Sequence, residues 1–429
     1  MDTVSSDFPL DIVIEAPEMA LPVARRPAPH ADPDATGEEG PDPTLEALSG
    51  EMGNHPLWNA PLLRACRAGH LTLGDWQFIF SQYHLYCANF TRFLAAAMAG
   101  CPSDYYRAQL ALNLWEEGGK LRPEERHAEI FRTFLRHGLG VAPEEVKYEA
   151  FTEHYVQQYL HHCYGGSPAF VSAFLALGTE ATVSRLYSIF HQGLTRAGIP
   201  DQYLRFFAIH MQCDDEHAAT LCEMMLSYSG EPDWEQQVRA GMQTALDLRR
   251  TFFDHIFESL GQRRVAALVR RIQERKPLGP ARPTAEASLF PRGSHGPVLY
   301  QNIVERLNLD FVVERVPFTP ETLDPRLVYI PAGRCNERHK HAHESLFVIL
   351  AGQGKVRVGE TLIPVHAGDM VFVPRWVLHQ TENHGPEEMV VLAITDHGLT
   401  GKAFIGDYDR TARLKKSATE TAADRWGEK

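Results

Sequence analysis

The sequence predicts a multidomain chain, a helical bundle over about residues 56–273 followed by a small β-sandwich or barrel over about 299–400. Three observations predict it. Apolar residues recur at helical spacing throughout the first part, with no β-alternating run. A Pro-, Gly- and Ser-rich stretch, KPLGPARPTAEASLFPRGSHGPV at 276–298, then reads as an interdomain linker. Beyond it the period changes to two, in short β-branched segments such as SLFVILAG, MVFVP and MVVLAIT. At 429 residues the chain is long enough to bury more than one core.

Taken in order, residues 1–50 hold eleven Asp/Glu against only Arg25 and Arg26, together with eight of the 28 prolines. Such a segment buries too little apolar surface to offset its ordering entropy and reads as a disordered acidic tail. Helices follow at Leu71–Met98 and at Ser103–Glu117, with Ser103 as N-cap. The next runs from Pro123, favoured at a first helical position, to a stop at Gly138. Further helices are expected at about 143–160, 168–194, 201–228 and 232–273. The β part ends near 400, and 401–429 is a charged C-terminal tail.

Composition narrows the function. A net charge of -13 argues against nucleic acid or an anionic membrane as partner. No apolar run approaches the roughly 20 residues needed to span a bilayer, and the N-terminus carries no secretory pattern. Seven scattered cysteines without a CxxC pair exclude a disulfide scaffold or zinc finger and favour a reducing, cytoplasmic setting. The 21 histidines direct attention to metal chemistry.

The sharpest motif is His210-x3-Asp214-x2-His217, whose three side chains share one stripe of a helix with Tyr203, Phe207 and Leu221. Ionisable groups on a core seam are costly unless something pairs with them. The same conflict recurs at Glu180, on the stripe Ala173, Leu177, Glu180, Ser184, Tyr187, and at His127, beside Ile130, Phe131 and Phe134. It recurs again at Glu117, which shares a face with Tyr106, Leu110 and Leu114 and is preferred there over Glu116. A single core histidine is ordinarily a hydrogen-bonded packing residue. Carboxylates and imidazoles converging from several helices are how di-iron and di-manganese centres are built.

These six residues resemble the haem-oxygenase-like di-iron oxidases, in which a Glu, a His, a second Glu and a His-x3-Asp-x2-His helix bind two irons that activate O2. The resemblance implies that role for Glu117, His127, Glu180, His210, Asp214 and His217, with O2 as co-substrate and an external reductant.

In the β part, Gly333-x5-His339-x-His341 is followed by Gly352 and Gly354, then by Gly368-x5-Pro374 and His379-x3-Asn383. This pattern resembles the two cupin motifs. His339 and His341, two apart on a strand, leave the same face, and with His379 they form a mononuclear site for iron or a similar metal. The usual glutamate of the first motif falls at Ser345. Glu344 is one position early and is an uncertain fourth ligand, His343 rivals His339 through the spacing His341-x-His343, and Trp376 stands where a glycine is common.

A di-iron domain followed by a cupin resembles the N-nitrosourea-forming enzymes of streptozotocin biosynthesis and their relatives. The implied activity is N-hydroxylation of an amine or guanidine of an amino-acid-derived substrate. The cupin iron would then carry out an oxidative rearrangement to an N-nitroso or N–N bonded product of specialised metabolism. An electron donor is the implied partner, and a homodimer is compatible with the sequence. An arginine-like substrate needs anchors, for which Arg185, Glu116 and Asp215 are the candidates. Other readings stay open. One is C–C cleavage or desaturation of an amino or fatty acid, with the cupin as a ligand-binding or dimerising module. The other is a metal-free enzyme of the helical fold with Cys163 or Cys213 as nucleophile.

Overall fold

The computed structural model describes residues 43–273, 289–291, 293–318 and 320–402, without the side chains of 43, 212–217, 271, 272 and 402. The chain divides into a helical unit up to Glu258 and a second unit from Ser259 onward. Helices are α1 (Pro43–Gly53), α2 (Pro61–Ala68), α3 (Leu73–Gly100), α4 (Asp104–Glu117), α5 (His127–Thr133), α6 (Ala150–Gly165), α7 (Pro168–Ala176), α8 (Val183–Arg196), α9 (Arg205–Leu226) and α10 (Trp234–Gln273).

Their ends follow local chemistry. A reciprocal cap opens α3: the Asp75 amide donates to Thr72 Oγ1 and the Thr72 amide donates to Asp75 Oδ2. Ser103 accepts from the Tyr106 amide to start α4, as expected. The helix expected from Pro123 to Gly138 is instead a 3-10 turn at Pro123–Glu125, then α5, then a π turn at Phe134–Gly138. The helix expected from about 143 is a 3-10 turn at Pro143–Glu145 followed by α6.

The continuous helix expected over 168–194 is broken. Gly178 lies so close to α10 that an added Cβ would sit 2.4 Å from the Ala245 Cβ. The chain leaves the helix after α7 and makes a 3-10 turn at Glu180–Thr182 before α8. Threonine hydroxyls satisfy the freed carbonyls: Thr179 donates to Phe174 O at 2.9 Å and Thr182 to Thr179 O at 2.7 Å.

The acidic-tail boundary at residue 50 is also displaced. Residues 43–53 form α1, with Leu48 fully buried, so the charge average hid one apolar face. Most of that expected tail lies outside the described residues.

The helical core is aromatic. Phe80 on α3 stacks on Trp76 at 5.7 Å and meets Phe134, Phe190 and Phe207 edge-on at 5.1–5.3 Å. One side chain thereby ties α3 to the π turn, α8 and α9. No helix among the described residues is long and apolar enough to cross a membrane.

The second unit carries β1 (Val298–Val304), β2 (Leu309–Arg315), β3 (Asp324–Ile330), β4 (Ser345–Ala351), β5 (Gln353–Val358), β6 (Thr361–His366), β7 (Met370–Val373), β8 (His379–Asn383) and β9 (Met389–Thr395), then α11 (His397–Lys402). β1 begins inside the stretch read as linker, and α11 runs two residues into the expected C-terminal tail. The strands form a six-stranded sheet, β1-β2-β3-β9-β4-β7, and a three-stranded one, β6-β5-β8. All neighbouring pairs are antiparallel. Alternate residues such as Phe347, Ile349, Val371, Val373 and Val391 fill the interior, as period-two patterning requires.

Candidate metal centres

Glu117 is the last residue of α4, and His127 opens α5. Between them Gly119, at φ 76°, lets the chain turn: an added Cβ would stand 2.5 Å from Arg122 O and from the Arg126 amide nitrogen. The turn brings the carboxylate 2.9 Å from His127 Nδ1. His210 comes from α9, and its ring meets His127 edge-on with centroids 4.6 Å apart. One ligand atom from each of Glu117, His127 and His210 lies within 4.8 Å of the others.

Glu180, buried on the 3-10 turn before α8, lines the same small cavity of ≈ 30 Å³. The remaining walls are Tyr86, Cys87, Phe90, Val183, Tyr187 and Phe206. Asp214 and His217 lie one and two turns after His210 on α9, and their side chains lie outside those described.

His210 Nδ1 lies 2.6 Å from Phe206 O. A carbonyl only accepts, so Nδ1 holds the proton and Nε2 carries the lone pair. The donor set, carboxylates with an imidazole so oriented, fits a hard-to-borderline metal such as iron.

The other residues singled out in the helical part lie elsewhere. Arg185 donates to Gly53 O and lays its guanidinium 4.2 Å above the Trp58 ring. Glu116 pairs with Lys120 at 2.5 Å. Neither lines the cavity, and the side chains of Asp215 and Cys213 are outside those described. Burial pushes the Cys163 thiol up to about 12, so it is no thiolate nucleophile near neutrality. Burial likewise holds the cavity phenols of Tyr86 and Tyr187 protonated.

In the β unit, ligand atoms of His339, His341 and His379 lie within 4.8 Å of one another, with ring centroids 4.3–5.4 Å apart. The strand expected at His339–His341 is reduced to a single bridge. His339 and His379 exchange backbone hydrogen bonds of 3.0 and 2.9 Å, and the chain is irregular on to β4. Each imidazole is fixed in the same way, Nδ1 donating to a carbonyl two residues away: Glu337 O at 2.8 Å, His343 O at 2.9 Å and Val377 O at 2.9 Å. All three rings therefore turn Nε2 inward. Burial, with His379 nearby, lowers His341 to about 3, so it is neutral and ligand-competent at physiological pH.

The rivals fall outside this set. His343 stacks on His341 with centroids 3.5 Å apart and meets His397 on its far side. Glu344 pairs with Arg375 at 3.4 Å and is half exposed. Ser345 is buried and its hydroxyl makes no hydrogen bond among the described residues. Trp376 takes the left-handed conformation, φ 60°, that explains why glycine is common there, and its amide donates to His341 O. Asn383 is a structural clasp, donating to Ile330 O and Glu387 O and accepting from the Gly385 amide.

Tyr86 was not signalled by the sequence. Tyr187 was partly legible, since it shares the stripe assigned to Glu180.

Residues 77–250 match the family of iron-containing redox enzymes, and residues 326–395 match the cupin domain family. Residues 77–250 thus match a haem-oxygenase-like iron redox domain and residues 326–395 a cupin domain, and the two matches support an iron oxidoreductase. Among solved structures, a CADD-like protein of unknown function from Nostoc punctiforme is 18% identical, covering 50% of this chain and 95% of its own, with a TM-score of 0.44. A cupin 2 conserved barrel protein from Rhodopseudomonas palustris is 27% identical, covering 23% of this chain and 68% of its own, with a TM-score of 0.21. No curated protein matches the chain.

Proposed function

We propose that the protein is a two-site non-haem iron oxygenase of an amino-acid-derived small molecule. The helical cavity would hold a di-iron centre through Glu117, His127, Glu180, His210, Asp214 and His217, and the cupin one iron through His339, His341 and His379. The observation that carries this reading is the convergence of two separate donor sets, with His210 in the helical set and all three cupin imidazoles held by backbone carbonyls. Iron at these positions would supply O2 activation.

The chain's own groups do the rest. Glu117 and the imidazoles would ligate, the wall of Phe90, Val183 and Phe206 excludes water, and the Tyr86 and Tyr187 phenols stand protonated at the cavity edge. The reaction we infer for the helical centre is N-hydroxylation of an amine or guanidine, two electrons coming from an external donor. The cupin would act on its product, forming an N-nitroso or N–N bond.

A second reading is favoured by the apolar walls and by the engagement of Arg185 and Glu116 elsewhere. It is C–C cleavage or desaturation of an amino or fatty acid, the cupin serving only as a binding or dimerising module.

Anaerobic Fe(II) loading of the full chain, followed by metal analysis and Mössbauer spectroscopy, tests the proposal. About three irons per chain are expected, falling by about one in His379→Ala and by about two in His210→Ala. Oxygen uptake with arginine-like amines would then separate the two chemistries. About one iron per chain, lost entirely in His379→Ala, would sink the di-iron assignment.

A further inference from the structure

Arg249 on α10 is fully buried, yet its partners among the described residues are hydroxyls and no carboxylate. Its guanidinium donates to Thr182 Oγ1, to the Tyr86 phenol at 3.1 Å and to the Tyr159 phenol at 3.5 Å, while its Nε–H has no acceptor among the described residues. Leaving a cation unpaired in a protein interior is among the costlier arrangements available to a fold.

Its neighbours place it directly behind the helical cavity. Tyr86 lines that cavity, and Thr182 ends the 3-10 turn that begins with Glu180. Burial pushes the thiol of Cys87, another wall residue, well up; Glu117 adds to that rise and Arg249 opposes it. The cavity gathers two buried acid side chains, Glu117 and Glu180.

We propose that Arg249 is a positioning residue of the helical centre, whose unpaired buried charge offsets the Glu117 and Glu180 carboxylates and raises the reduction potential of iron held there. The proposal rests on the iron-oxygenase reading above. A fixed positive charge in a low-dielectric interior favours the less positive oxidation state of a nearby metal. A tyrosine shell keeps the guanidinium hydrogen-bonded without neutralising it. A carboxylate partner would have cancelled its field.

The test is a redox titration of the iron-loaded full chain, made in a His379→Ala background so that only helical iron responds. Arg249→Met is expected to shift the midpoint to lower potential by about a tenfold change in the oxidised-to-reduced ratio, about 59 mV for a one-electron couple. Arg249→Lys should keep the potential near that of the parent. So should Tyr86→Phe, which removes the phenol and leaves the charge.

The metal-free proteins supply the second readout. Burying a charge is costly unless it is paired, so exchanging Arg249 for an apolar side chain of similar length removes that cost. The apoprotein of Arg249→Met should therefore melt no lower than its parent.

An unchanged midpoint in Arg249→Met overturns the proposal, and a lowered melting point beside it would mark Arg249 as purely structural. If Arg249→Met does not fold, the proposal is overturned on stability alone unless Arg249→Gln folds and shows the shift. A shift in Tyr86→Phe as large as that of Arg249→Met assigns the effect to the phenol and also overturns it. A parent chain that takes no iron into its helical unit overturns the oxygenase reading, and this proposal with it.

Discussion

Acidification should weaken the helical unit through His84. The ring lies on α3, 6% exposed, stacked at 6.0 Å on Phe131 and with Nδ1 2.7 Å from the Tyr148 hydroxyl. Its Nε2 has no hydrogen-bond partner among the described residues. Burial lowers its pKa from 6.5 to about 4, with Arg132 adding to the effect and Glu144 and Glu129 opposing it. Between those two values the unfolded chain binds a proton that the folded chain refuses, so stability falls as pH drops through that window. Below about 4 both states are protonated and the loss from this residue stops. One histidine in this condition gives a slope of at most about 1.4 kcal/mol per pH unit, which integrates to about 2 kcal/mol between pH 7.5 and 5.

The assay is urea unfolding of the metal-free protein at those two pH values, followed by tryptophan fluorescence. Trp58, Trp76, Trp115 and Trp234 all report on the helical unit. His84→Gln keeps a hydrogen-bonding group beside Tyr148 and does not titrate. It should lose about 2 kcal/mol less than the parent on acidification. Equal losses in the two proteins would refute the assignment of this sensitivity to His84.

Two other substitutions test packing. Gly241→Ala puts a Cβ 2.3 Å from Phe170 O, where α10 crosses the start of α7. It should cost about 1–3 kcal/mol or more in urea unfolding, because backbone on both sides cannot yield. Asn383→Ala unclasps the ends of β3 and β8 by stranding Ile330 O and the Gly385 amide. It should destabilise the cupin transition in calorimetry by about 1–3 kcal/mol, while the iron content of the histidine triad stays unchanged.

Several elements were legible because local chemistry decides them. Ser103 caps α4 as its position before an apolar run requires, and the alternation in SLFVILA and MVVLAIT survives because one face of each strand is buried. That the rings of His339, His341 and His379 face one another followed from the cupin resemblance, because spacing alone does not place His379 beside the other two.

What escaped the sequence depends on distant partners. The break after Ala176 was hidden because the apolar period at 173, 177 and 180 continues across it, and only the close approach of α10 to Gly178 forces the turn. The competition among Glu344, His343 and His339 could not be decided from spacing. Two contacts bear on it: Arg375, distant in sequence, pairs with Glu344, and His343 packs on His341. Arg249 reads in sequence as half of an ordinary Arg-Arg pair, and nothing near it along the chain foretells that one of the two is buried among tyrosines.

The carbonyl clamps on the four imidazoles have a consequence for how such a centre can arise. Each clamp is made by a residue two or four positions away on the same short segment. The protonation pattern of every ring is therefore written into a peptide of three to five residues and needs no help from the opposite wall. A chain can acquire or relocate one such histidine at a time without resetting which nitrogen of the others carries the proton. The barrel and the bundle then need only bring finished donors to within bonding distance of a common point.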